Sequence, residues 1–105
     1  MSNRYPELRT FIKQPAESYV IAIEWLGRLP IGATLSSGTV SAVNMATGLT
    51  DNTVLASTTA TISGTQARVK VTGGTTGTDF KVTFLCTFST GDVLEEDVIM
   101  MVRVR

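Results

Sequence analysis

Residues 66–88, "QARVKVTGGTTGTDFKVTFLCTF", hold two alternating runs separated by a glycine-rich break. In the first, Ala67, Val69 and Val71 fall on one face and Arg68, Lys70 and Thr72 on the other. In the second, Phe80, Val82, Phe84, Cys86 and Phe88 oppose Lys81, Thr83 and Thr87. A period of two marks strands with one buried face. The simplest arrangement of two such runs around "TGGTTGTD" is an antiparallel hairpin. Gly73, Gly74 and Gly77 are then the positions free to take a positive φ, and Asp79 is placed to cap the turn. A phosphate-binding loop is the rival reading of "GGTTG". It fails for want of a lysine and of a following helix whose N-terminus would face the phosphate.

The same period extends in both directions. Upstream, "TFIKQPAE" reads as a short first strand ending before Pro15. In "SYVIAIEWL", Tyr19, Ile21, Ile23 and Trp25 form the core face against Val20, Ala22, Glu24 and Leu26. "GRLPIG" is a turn, and "ATLSSGTVSAV" is a strand with a bulge or bend expected near Gly38. "LTDNTVLASTTATISG" puts Val54, Ala56, Thr58, Ala60 and Ile62 in one register, with Asp51 and Asn52 turning the chain into it. Downstream, Gly91 and Asp92 make a turn before a long final strand. There Val98, Met100, Val102 and Val104 oppose Ile99, Met101, Arg103 and Arg105. About seven strands with glycine-bearing turns and no helical period predict an all-β fold, a two-sheet antiparallel sandwich of the immunoglobulin-like kind.

The chain has 105 residues and a mass of 11.2 kDa, enough for one domain with little core to spare for an internal cavity. Residues 1–12 read as an N-terminal arm and first strand, and residues 13–105 as the sandwich. Lys and Arg balance Asp and Glu at nine each, which gives no basis for holding a phosphate backbone, so no nucleic-acid partner is expected. The N-terminus "MSNRYPELRTF" lacks the apolar run of a signal peptide, and no stretch approaches transmembrane length. Synthesis in a cytosol, with no membrane partner, is the expectation.

Catalytic constellations are missing from this reading. The chain contains no histidine, and its single cysteine, Cys86, sits among aromatics on an apolar face, the setting of a packed thiol. The densest acidic run, Asp92, Glu95, Glu96 and Asp97, is consecutive, so a strand scatters its side chains to both faces; it reads as a solvated turn and edge protection. It also lacks the ligand spacing of an EF-hand. No cofactor or metal is expected, and an enzyme is disfavoured.

The order of "KQPAESYVIAIEWLG", "GATLSSGTV", "QARVKVTGGTTGTDFKVTFLCTFSTG" and "DVIMMVRVR" resembles the small fiber-tail adaptor proteins of tailed bacteriophages and prophages. The likeness runs over residues 13–105. It implies a virion structural protein of the tail or neck, without catalysis, whose partners are other tail, fiber or head-tail proteins and further copies of itself. A head-tail joining role is the close alternative. A free-standing module for surface glycans or proteins is the more distant one, and requires Trp25 or Tyr19 to be exposed. For assembly, the candidate interface residues are Tyr5 and Leu8 in the arm and Ile99, Met101, Arg103 and Arg105 on the final strand, a mixture of apolar anchors and guanidinium groups suited to protein contacts.

Overall fold

The computed structural model describes residues 9–104, so Tyr5, Leu8, Arg105 and the body of the expected arm lie outside the described residues. Seven strands follow in order: β1 (Arg9–Lys13), β2 (Tyr19–Glu24), β3 (Leu35–Asn44), β4 (Thr61–Ser63), β5 (Gln66–Val71), β6 (Asp79–Phe88) and β7 (Val93–Val102). They form two sheets, β1-β7-β6-β3 and β2-β5-β4. The first strand lies beside the last in the larger sheet, and the two sheets pack face to face as an all-β sandwich. That β1–β7 pair is parallel and the other paired strands are antiparallel. Residues 9–12, read from sequence with the arm, therefore belong to the larger sheet.

The inward faces match the alternation. Val69, Val71, Ile23 and Trp25 of the smaller sheet meet Val40, Val82, Phe84, Phe88, Val98 and Met100 of the larger, all buried. Val104, expected on the same side, extends past the end of β7 and is exposed.

The predicted hairpin is not formed. Strand β5 pairs with β2 and β4 in one sheet, and β6 with β7 and β3 in the other, so residues 72–78 carry the chain across the sandwich. Both runs alternate because each faces the same core, from opposite sheets. Alternation identifies the buried face of a strand and says nothing of its neighbour. The glycines do turn the chain: φ is +62° at Gly73, +92° at Gly74 and +88° at Gly77. Gly74 has a second constraint, because a Cβ there would stand 2.9 Å from Val102 Cγ2.

Residues 49–63 also depart from one long strand. Asp51 accepts the Thr53 N–H at 3.1 Å and opens a 3-10 turn over Asn52–Val54. The chain then bonds to β5, with the Ala56 N–H donating to Lys70 O at 2.9 Å. It next crosses to β3, where Val40 N–H donates to Thr58 O at 2.8 Å and Ala60 N–H to Gly38 O at 2.9 Å, and returns as β4. Val54 and Ala60 are buried as the register predicts, whereas Ala56 and Thr58 are exposed. In β3 the irregularity lies between Leu35 and Ser37, and Gly38 pairs regularly with Cys86. Its small size is needed for another reason: a Cβ would lie 3.0 Å from Cys86 Sγ and 3.3 Å from Ala60 Cβ.

Candidate assembly surfaces

One end of the sandwich is closed around a buried lysine. Lys13, the last residue of β1, points inward, and its ammonium donates to Gly73 O at 2.6 Å, Gln14 O at 2.8 Å and Pro15 O at 3.4 Å. Burial pushes its pKa down and the charge of Glu17 pushes it back up. A charge taken out of water needs such partners, and here backbone carbonyls supply them. The ammonium thereby ties the first strand to the glycine loop. The loop is also bound to β7, with Gly77 N–H donating to Val102 O at 2.8 Å and Val102 N–H to Thr78 O at 3.0 Å. Asp79 and Arg103 complete this end as an ion pair at 2.8 Å. Arg103 also donates to Val102 O at 2.8 Å. Sequence reasoning singled out the glycines, Asp79 and Arg103 but missed Lys13, whose "FIK" context resembles any strand end.

The opposite end is closed by Trp25. Its ring is 1% exposed, meets Phe88 edge to face at a centroid distance of 5.5 Å, and carries the Arg28 guanidinium 4.4 Å above it. Arg28 in turn donates to Glu96 Oε1 at 2.5 Å. Glu96 is buried on the inward face of β7, an interior strand, so this part of the acidic run neither meets solvent nor guards an edge. Beside it, burial pushes the Cys86 thiol up, partly offset by the Trp25 indole N–H and the Arg28 charge. A thiol so protonated is a packing group. With Trp25 inside, the stacking platform required of a glycan module is withdrawn. Tyr19 is half-buried, edge to face with Phe11 at 6.3 Å, and its hydroxyl donates to Ile12 O at 3.4 Å.

The remaining sequence-selected residues lie on the outer face of the larger sheet. Ile99 is flanked in register by Thr10 and Lys81, and Met101 by Ile12 and Asp79. Ile99 is 9% exposed and outside the main core; Met101 is half-buried. Ile12, beside Met101, is 40% exposed and adds apolar surface to this face.

The edges of the sheets differ sharply. On one side, residues 49–60 cover β3: Asn44 N–H donates to Leu49 O at 2.9 Å, Asp51 N–H to Ala42 O at 2.8 Å, and Ala42 N–H to Asn52 Oδ1 at 2.8 Å. With the Thr58–Ala60 bonds, this strap laces the two sheets together. On the other side, β1 and β2 are both edge strands, and between them runs an apolar groove of about 310 Å³ lined by Thr10, Phe11, Ile21, Ala22, Ile23 and Val98. None of these six side chains is titratable. At the end of β2, Glu24 is held below the usual carboxylate range, first by the Thr65 hydroxyl and, against the cost of desolvation, by the Leu26 N–H.

Among the described residues, no group of His, Cys, Asp or Glu is placed to hold a metal ion, and no helix is long and apolar enough to cross a membrane. The family described as "Podophage GP4 fiber-tail adaptor protein gp77" matches this chain over residues 13–101, from the buried lysine to Met101 near the end of β7. No curated protein and no solved structure matches it.

Proposed function

The chain belongs to the podophage fiber-tail adaptor family, and from that premise we propose that it is a non-enzymatic structural protein of the virion that joins fiber to tail. The observation that carries this reading is the extent of the family match, which covers the sandwich from Lys13 to Met101. The distribution of its chemistry agrees. The charged groups within the fold, Lys13 and Glu96, are committed to carbonyls and to Arg28. What the molecule offers to others is strand edge and apolar surface, the material of protein contacts.

In this reading the partners are tail and fiber proteins together with further copies of the chain. Candidate contacts are the half-buried outer-face residue Met101 and the N-terminal residues Tyr5 and Leu8; Ile99, on the same face as Met101, is too deeply covered to serve. Mass spectrometry of gradient-purified particles tests the proposal, using the tryptic peptide of residues 71–81 as the marker. Reproducible recovery in intact particles, with cryo-electron microscopy density at the junction of fiber and tail, is the expected result. Density at the neck would instead support a head-tail joining role, and absence from abundant intact particles would overturn the proposal.

A further inference from the structure

Long strand edges in soluble proteins are normally guarded, because unpaired N–H and C=O groups accept any passing strand. Three of the four sheet edges here have such a guard. Residues 49–60 cover β3; β4 is only three residues long; and β1 is short, ends in the inward-pointing Lys13 and is followed by Pro15. Strand β2, "YVIAIE", has six residues and no proline, lysine or bulge. Its outward Val20 is 58% exposed.

The register shows which backbone groups are free. Trp25 N–H donates to Thr65 O at 3.0 Å, which makes Trp25 and Thr65 a hydrogen-bonded pair one step beyond Glu24 and Gln66. Such pairs alternate along an antiparallel ladder, so Ile23, Ile21 and Tyr19 bond to β5. Val20 and Ala22 point their N–H and C=O groups away from it, and Ala22 also lines the apolar groove.

We propose that β2 is a homodimerisation edge, and that a second copy of this chain pairs with it antiparallel about a two-fold axis at Ile21. This register sets Val20 of each copy opposite Ala22 of the other, and the two exchange both backbone bonds. Glu24 falls opposite Ser18, so no like charges meet. The symmetric register about Ala22 pairs an equal length of strand but sets the Glu24 carboxylate opposite the apolar Val20, which this one avoids. The two Ile21 side chains come together at the groove, and the two three-stranded sheets become one continuous sheet. The edge is thus self-complementary, as a two-fold contact must be. This deepens the adaptor reading by naming a contact between copies, but its test does not depend on any phage component.

Sedimentation velocity of the full chain over a wide concentration range is the experiment, run beside Val20→Lys and Ala22→Pro. Val20→Lys places an ammonium on an already exposed position at the paired edge, so the fold is kept and the dimer weakens at least about tenfold. Ala22→Pro removes an outward N–H, which an edge strand tolerates, and gives a monomer with an unchanged circular-dichroism spectrum. In the wild type, amide exchange at Val20 and Ala22 slows at least about tenfold as the dimer forms. A wild type that stays monomeric throughout overturns the proposal, as does a dimer that survives Val20→Lys. If the chain is found at the fiber-tail junction yet is monomeric in solution, the dimer proposal fails and the adaptor reading stands.

Discussion

The two long sides of this sandwich end in opposite conditions. On the β3–β4 side a Thr- and Ser-rich strap bonds first to one sheet and then to the other, and small residues let it approach closely. On the β1–β2 side two edge strands face each other across an apolar groove. A strand edge is satisfied within the chain or left for another chain; among the described residues the β3–β4 side does the first, and the dimer proposal assigns the second to the β1–β2 side. The sealed side should therefore carry stability and the open side association.

The largest effect is expected where the sealed side is tightest. Gly38→Val drives a branched side chain into Cys86 Sγ and Ala60 Cβ, and should cost about 3 kcal/mol in urea denaturation. Part of that loss should return when Cys86→Ala is added, since one of the two crowding groups is then smaller. A full cost with no coupling to Cys86 would mean that the strap, and not the packing beneath it, had been displaced. Next is Asn52→Ala. It leaves the N–H of the fully buried Ala42 without its acceptor, for a loss of about 2 kcal/mol. On the open side, Val20→Thr keeps the β-branch at an exposed position and should change monomer stability by less than about 0.5 kcal/mol. A larger loss would show that the open edge stabilises the monomer and would blur the contrast.

The sealed side was only half legible in the sequence. The buried positions Val54 and Ala60 and the partly buried Ile62 follow from period two, because a chain that zigzags between two sheets still faces one core. The crossings themselves depend on tertiary bonds to β3 and β5 that leave no mark in local composition. The same limit explains the misplaced hairpin. Residues 66–88 show two inward faces and a glycine turn, but hairpin and sheet-crossing connections share those features. Trp25 was readable as a core residue from its register with Ile21 and Ile23. Its companions Arg28 and Glu96 were not, since their ion pair spans residues far apart in sequence. Lys13 was hidden for the same reason. Its main acceptor, Gly73 O, lies sixty residues away in the chain.

The smallest effect concerns pH. Glu24 ends the open edge, and its carboxyl lies below the usual range in the folded chain because the Thr65 hydroxyl and nearby N–H groups favour the ionised form. A depressed carboxylate contributes stability that is present above its unfolded pKa and lost as pH falls through the folded value. The advantage of wild type over Glu24→Gln in thermal unfolding should accordingly be small at pH 7 and vanish as pH drops below about 4. A gap that widens in acid would contradict the assignment.

The most direct test of the division of labour is incorporation into particles of two lysine variants that differ only in side. Val20→Lys marks the open edge, and Thr58→Lys marks an exposed position on the strap. Quantitative mass spectrometry of purified particles should find Thr58→Lys at wild-type copy number and Val20→Lys severely depleted, although both variants fold. Equal incorporation of the two would contradict the claim that the β1–β2 side is where this protein assembles.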